Sequence, residues 1–558
     1  MTGSTRRYTR RTAVLTVSVL AVVLFSGGFT PGSDGDYFLK VNKGIDMFGR
    51  VYREITGNYV DEIDPEKFMQ SGIEGMLGTL DPYTVYIEKE DGDEVDLLTN
   101  GKYGGIGVTI GARDGAIEVI SVMDGYSAQR QGMQPGDRIL SVDGQSIETR
   151  KPDDVRTLTR GEPGTEVRLT VRREGVPQPI DFVLVREEIQ IRNVTYSGLV
   201  GDGIAYIRLE RFSRKAGDEV RQAIRDLKLR GEIKGVILDL RGNPGGLLDA
   251  AVDVVSKFVP KGSLIVSTRG RRLEGEKSYT SGEEPLLPHT PLALLTDRGS
   301  ASASEIVAGA IQDLDRGIIV GTRTFGKGLV QTILPLNYGA QLKITTARYF
   351  IPSGRSIQEI DYMHKDRNGV FVITPDSLRK EFHTAHGRPV YELGGIRPDS
   401  IVVNEDAGPM VQALRRKLMF FRFANRYAAE HGGKPSLPIT DAIIARFRTF
   451  LEEEHFDFQE ESETRLEDLT ELATRLHYSP GVLADLESLK VDLASEKARA
   501  FDRYRDHIVH ELTVEFAARV NGEAGRIEAS LEGDKQLDVA EQLLHNARLY
   551  STKLALKP

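Results

Sequence analysis

The segment from Gly299 to Gln331 constrains this chain more than any other stretch of it. It runs Gly-Ser-Ala-Ser-Ala-Ser-Glu-Ile-Val-Ala-Gly-Ala-Ile-Gln-Asp, passes through a β-rich run at Gly317 to Thr322, and closes on Thr-Phe-Gly-Lys-Gly-Leu-Val-Gln. Ile306, Val307, Ala310 and Ile311 share one helical face, so a helix should begin among the serines. Glu305 falls in its first turn, where a carboxylate suits the positive end of the helix dipole. A serine at a helix start lies beside unpaired backbone N–H groups that can stabilise an oxyanion. Lys327, held in an apolar, glycine-lined turn, can lose its proton through desolvation and act as a base. The segment therefore reads as a Ser/Lys hydrolase centre. The residues alone leave Ser300, Ser302 and Ser304 all open as the nucleophile.

One competing motif overlaps it. Gly321-Thr-Arg-Thr-Phe-Gly326-Lys327 follows a phosphate-binding loop until the next position, which needs a hydroxyl for magnesium. That position is Gly328. The nucleotide reading loses its metal ligand there.

The two halves of the segment together resemble the signature of the C-terminal processing (tail-specific) serine peptidases, and the resemblance covers roughly residues 37–403. It implies that the nucleophile is the middle serine, Ser302, that Lys327 is the general base, and that Gln331 orients the lysine. It also implies two oxyanion amides: that of Ala303, and one from the turn Asn243-Pro-Gly-Gly, assigned to Gly246 with Gly245 beside it. A Gly pair after Pro lets backbone N–H groups face a ligand, although a tight strand-to-helix turn would use the same residues. The blocks Arg348 to Gln358 and Gly394 to Asp399 also look like family blocks, and are read as core architecture or groove lining.

The fold class expected is α/β and α+β multidomain, in line with a length of 558 residues. Residues 1–33 form a signal or membrane-anchor segment: four arginines (Arg6, Arg7, Arg10, Arg11) precede the apolar run Ala13 to Phe25. The positive-inside bias then places the chain after Asp34 outside the cytoplasm, so an extracytoplasmic (periplasmic) location is expected, with anchoring by residues 13–30 if they are retained. Residues 34–99 have helical spacing. Residues 100–188 are β-rich. There Tyr103-Gly-Gly-Ile-Gly-Val puts glycines before a strand edge, and Gly132-Met-Gln-Pro-Gly-Asp follows, a pairing that resembles a PDZ domain. Gly104, Gly105, Ile106, Gly107 and Val108 are the expected tail-binding residues. Residues 189–403 alternate strand and helix, as an α/β peptidase core with a mixed sheet would. Residues 404–558 are all-helical, which suits a contact between copies of the chain or a platform for an adaptor. His507 and His510 in this region match no known zinc-peptidase order and are read as helix surface.

A net charge of −9 leaves no basic footprint for nucleic acid, and the absence of cysteine excludes disulfides and thiolate metal sites. The resulting expectation is a serine endopeptidase that needs no metal or cofactor and takes protein or peptide substrates by their free C-terminal tails. Two other readings compete with it: a catalytically silent PDZ scaffold at the membrane, and an acyl-CoA hydratase-like enzyme with a glycine-rich oxyanion hole.

Overall fold

The computed structural model describes residues 34–555 except 89–96, 98, 114, 272–275, 366–368, 405–406, 433–434 and 436. The expected signal or anchor segment lies outside the described residues. Among the described residues no helix is long and apolar enough to cross a membrane. The chain divides into two compact units that meet at residues 86 and 87.

The first unit is a pair of helices, α1 (Asp34–Asn58) and α2 (Pro65–Leu77). Asp64 begins α2 by accepting from the amides of Glu66 (3.0 Å) and Lys67 (3.3 Å), and Pro65 fills the first position, where a missing N–H costs nothing. The Tyr52 and Phe68 rings stack at 5.7 Å between the two helices.

In the second unit the β-rich module comes first. Its strands are β1 (Lys102–Gly105), β2 (Val108–Arg113), β3 (Ala116–Val122), β4 (Arg138–Val142), β5 (Glu166–Arg172), β6 (Ile180–Val185) and β7 (Glu187–Gln190). Two short helices, α3 (Ser127–Arg130) and α4 (Pro152–Thr159), lie among them. Strands β2 to β6 pair antiparallel in chain order, and β1 pairs with β7. Alternation sets the inside: Val167, Leu169 and Val171 of β5 are buried, while Glu166, Arg168 and Arg172 are exposed. Strand β2 sits at the sheet edge, with one side unpaired among the described residues.

The core sheet has the order β8 (Val194–Val200), β9 (Ile204–Leu209), β10 (Gly235–Asp239), β13 (Leu292–Thr296), β14 (Ile318–Gly321), β17 (Ser400–Ile401). Only β8 runs antiparallel, so the sheet is mixed, as expected. A second, antiparallel sheet is built from β11 (Leu264–Gly270), β12 (Lys277–Thr280), β15 (Leu329–Pro335) and β16 (Gln341–Phe350). Helices α5 (Ala216–Arg230), α6 (Leu248–Ser256) and α7 (Ala303–Asp313) cover one face of the core sheet, packing on Ala205, Ile207, Val236, Leu238, Leu294 and Ile319.

The other face is covered from far along the chain. Ile204, Tyr206, Ile237, Ala293, Leu295 and Val320 pack against residues 527–554, chiefly Leu537, Ala540, Leu543 and Leu544 of α14 (Lys535–His545) and Tyr550 of α15 (Ala547–Lys553). The Tyr550 hydroxyl accepts from the Leu292 amide (2.9 Å) and reaches the Leu292 carbonyl (3.0 Å). The all-helical region therefore does two jobs. Between residues 408 and 516, α8 (Gly408–Arg416), α9 (Met419–Glu430), α10 (Asp441–Glu453) and the start of α13 (Arg505–Ser530) enclose an aromatic cluster of Phe420, Phe423, Phe447, Phe450 and Phe516. Between α10 and α13 stand α11 (Glu461–Arg475) and α12 (Pro480–Ala498), packed on each other. The helical spacing of this region runs through two breaks: Leu418 takes a left-handed conformation between α8 and α9, and the pattern from Pro480 is interrupted near Arg499 and Tyr504. Periodicity alone does not register such one-residue reversals. The β-rich module is fastened to this bundle where Arg426 meets Glu174 (2.8 Å) and Arg519 donates to the Pro135 carbonyl (2.8 Å).

Candidate active site

The site forms where the core strands end. Strand β10 runs into Arg241-Gly-Asn-Pro-Gly-Gly, strand β13 runs into Asp297 to Ser302, and the loop after β14 carries Lys327. Crevices at the carboxyl ends of parallel strands are the usual place for ligands in open α/β sheets. A cavity of about 270 Å³ opens there, lined by Gly246, Ser302, Ala303, Lys327, Gln331 and Tyr349 among others. All five residues expected at the chemistry thus border one cavity.

The three serines part company here. Ser300 is fully buried and donates its hydroxyl to the Leu240 carbonyl (2.8 Å). Ser304 is equally buried and donates to the Asn243 carbonyl (2.9 Å). Ser302 alone of the three borders the cavity. Its φ of 55° is uncommon for a residue with a side chain, and it arises at the sharp turn into α7.

The glycine turn is separated just as cleanly. Gly245 uses its amide on Asn243 Oδ1 (2.9 Å), whereas the Gly246 and Ala303 amides have no hydrogen-bond partner among the described residues. Asn243 is the organiser. Its Nδ2 donates to the Leu209 carbonyl (2.7 Å), and its own carbonyl accepts from Ala301 (3.0 Å) as well as from Ser304. Gly245 has φ +101°, and a Cβ there would stand 2.7 Å from the Ala301 carbonyl and 3.0 Å from Ser302 Cβ. The backbone approach of the two turns therefore requires glycine.

Glu305 was expected only as a charge at the helix start. It is wholly buried, and its carboxylate accepts from the amides of Ser302 (2.8 Å), Gly326 (2.7 Å) and Lys327 (2.8 Å) and from Thr324 Oγ1 (2.6 Å). One side chain thus ties the serine turn to the lysine loop. Burial pushes its pKa up to about 7, against the pull of these donors. Tyr349, also buried, braces the same pair from the other side. Its hydroxyl bridges the carbonyls of Lys327 (2.5 Å) and Ser302 (3.1 Å). Gln331 lies on β15 and donates to Thr345 Oγ1 (3.2 Å). The lysine loop leads into a strand, whereas a phosphate-binding loop needs a helix N-terminus at that point.

In the β-rich module a smaller cavity of about 160 Å³ lies beside the edge strand, lined by Gly105, Ile106, Val108, Ile110, Met123 and Arg160 with others. Gly105, Ile106 and Val108 of the expected residues therefore reach it. Gly104 is packed against the Gly161 carbonyl, and Gly107, at φ +82°, against Tyr126. Arg160, which follows α4, was not foreseen. Its guanidinium lies 4.8 Å from the Tyr103 ring centre, and its buried Nε has no partner among the described residues. Nothing in its local sequence separates it from an ordinary surface arginine.

Fold and site together define a serine protease built on an α/β core with an attached PDZ domain. Residues 203–368 match the model of peptidase family S41, residues 118–173 that of a PDZ domain, residues 34–91 that of the activating protease CtpB N-terminal domain, and residues 410–544 that of the C-terminal helical domain of probable PDZ-proteases. A carboxy-terminal-processing protease of Bartonella bacilliformis is 40% identical over 321 residues, which span 57% of this chain and 73% of that protein. A Synechocystis carboxyl-terminal-processing protease is 32% identical over 64% of this chain and 87% of its own length. The solved photosystem II D1 C-terminal processing protease is 29% identical, with a TM-score of 0.33 over 59% of this chain and 91% of that one. The chain belongs to the carboxy-terminal-processing proteases of peptidase family S41.

Proposed function

We propose that this protein is an endopeptidase that captures the free C-terminal tail of a polypeptide in its PDZ domain and cleaves it with a Ser302–Lys327 dyad. The observation that carries the dyad is the shared cavity. Ser302 is the only one of the three serines to reach it, and Lys327 borders the same space. Neutral Lys327 takes the proton of Ser302 Oγ as that oxygen attacks the carbonyl carbon of the scissile bond. The carbonyl oxygen becomes an oxyanion beside the Gly246 and Ala303 amides. As the intermediate collapses, the C–N bond breaks, the protonated lysine hands its proton to the leaving amine, and an acyl-serine remains for water to hydrolyse. Gln331, on the strand that follows the lysine loop, limits where the lysine can swing.

Tail capture is supported by the free edge of β2 beside an apolar cavity. A peptide can add as a further strand there, its last side chain among Ile106, Val108 and Ile110, with the Arg160 guanidinium available for a carboxylate. Substrates are therefore exported or membrane proteins with apolar tails, provided that residues 13–30 direct this chain outside the cytoplasm.

A fluorophosphonate probe tests the dyad: wild type should be labelled and Ser302→Ala should not. Labelling that persists in Ser302→Ala and vanishes in another serine variant would move the nucleophile. Cleavage of one unfolded substrate with an Ala-Ala tail, a di-aspartate tail or an amidated tail tests capture. Equal rates for all three would remove the PDZ domain from substrate choice.

A further inference from the structure

We propose that Asp534, at the start of α14, is a positioning residue for the oxyanion loop, acting through Arg241. The inference rests on reading the Gly246 and Ala303 amides as the oxyanion donors.

Arg241 is the first residue of the loop that ends in Gly246. Its guanidinium lies between two carboxylates, one only two residues before it in the chain and one from the far helical region. On one side is Asp239, which ends β10 and is fully buried. It takes Arg241 Nη2 at 2.6 Å and Nε at 3.0 Å, and also accepts from the Tyr206 hydroxyl (2.6 Å). On the other side is Asp534, with Oδ2 2.6 Å from Arg241 Nη1, joined by Gln536 Oε1 at 3.1 Å. Gln536 in turn donates to the Val402 carbonyl (2.8 Å) after the last core strand. Asp239 already pairs with the arginine and is also felt by Arg208. Asp534, its side chain 9% exposed, brings a second carboxylate to the same guanidinium, and drawing that charge largely out of water is costly unless geometry depends on it. That geometry is the loop. With Arg241 held at one end, Gly242 donates to Asp297 Oδ1 (2.9 Å) and Asn243 anchors to Leu209, so the backbone reaching Gly246 has little freedom left. The helical region is thereby joined to the oxyanion site by three side chains.

The two oxygens of Asp534 divide the work, which allows a clean test. Oδ1 caps α14, accepting from the amides of Gln536 (3.0 Å) and Leu537 (3.2 Å), while Oδ2 faces Arg241. Asn caps a helix as well as Asp does, so Asp534→Asn keeps the cap and sets an amide group against the guanidinium. In the full-length protein, kcat should fall roughly tenfold, a fraction of the 10²–10³ lost when an oxyanion donor is removed outright. Affinity for a peptide boronate, whose tetrahedral adduct places an oxygen at the two amides, should fall by about the same factor. KM for a tail-bearing peptide should stay at the wild-type value, because it does not depend on transition-state geometry, and the melting temperature should fall by no more than a few degrees, because the helix cap and the Asp239–Arg241 pair both remain. Unchanged kcat and boronate affinity would overturn the proposal, as would a joint loss of kcat, KM and melting temperature, which marks a general loosening. A wild-type enzyme indifferent to the boronate would instead overturn the oxyanion reading beneath it.

Discussion

At Glu305 stability and activity are expected to respond to pH in opposite directions. Its folded pKa is raised by burial from 4.5 to about 7, so the folded state holds the proton more tightly than the unfolded chain does. That contribution to stability is fully present below about pH 4.5 and is lost as pH rises through about 7. Only the ionised carboxylate, however, can accept from all four of its donors and hold the serine turn against the lysine loop. Activity should therefore rise through pH 7 while stability declines between pH 5 and 7. Glu305→Gln should lower kcat by tenfold or more and erase that limb of the profile. Full wild-type activity at pH 5.5 would refute this. The neighbouring serines give a sharper contrast. Ser302→Ala should abolish turnover without loss of stability, whereas Ser304→Ala should stay active and lose about 1 kcal/mol, the usual worth of one buried hydrogen bond. Gly245→Ala places a Cβ 2.7 Å from the Ala301 carbonyl at φ +101°, and should cost at least a hundredfold in kcat by pushing the two turns apart. The local residue pattern made the serine run, Lys327 and the glycine turn legible in the sequence, but it left Ser300, Ser302 and Ser304 open, and only the resemblance to the tail-specific peptidases implied Ser302. Glu305 was visible only as a helix-start charge, and Tyr349 only as part of the Arg348 to Gln358 block read as core architecture or groove lining. Their work lies in contacts across 19 to 47 residues of chain, which no local pattern encodes.

Among the elements, α14 departs most from a reading by periodicity. Its apolar stripe looks like that of any amphipathic surface helix, yet Leu537, Ala540, Leu543 and Leu544 complete the peptidase core. A clue was present: β10 and β13 are apolar almost without interruption, the mark of strands buried on both faces, and the βαβ connections supply helices to only one. Leu543→Ala should therefore destabilise the protein as a core substitution, by about 2–5 kcal/mol, and thermal unfolding would measure it. A loss under 1 kcal/mol would show that the helix merely rests on the sheet. The β-rich module was read more fully, because strand alternation and paired glycine turns are local signals. Its contacts with Arg426 and Arg519 were not, since basic residues on a helix carry no label for their partners.

For the molecule as a whole, chain order and spatial order disagree. The core sheet is assembled from residues 194–401, but one of its faces stays bare until residues 527–554 arrive. Removing residues 524–555 should yield aggregated or unfolded protein, whereas removing the PDZ residues 101–188 should leave a soluble core. Solubility and circular dichroism of the two truncations would decide between them, and a soluble, helical product from the first would contradict the layered core. The same arrangement acts as a clock. While the polypeptide is still being made, Ser302 and Lys327 emerge more than two hundred residues before the helix that seals the sheet beneath them. If the proposed dyad carries the chemistry, a nascent chain holds both residues without the scaffold to aim them, and should stay proteolytically silent until synthesis has passed α14.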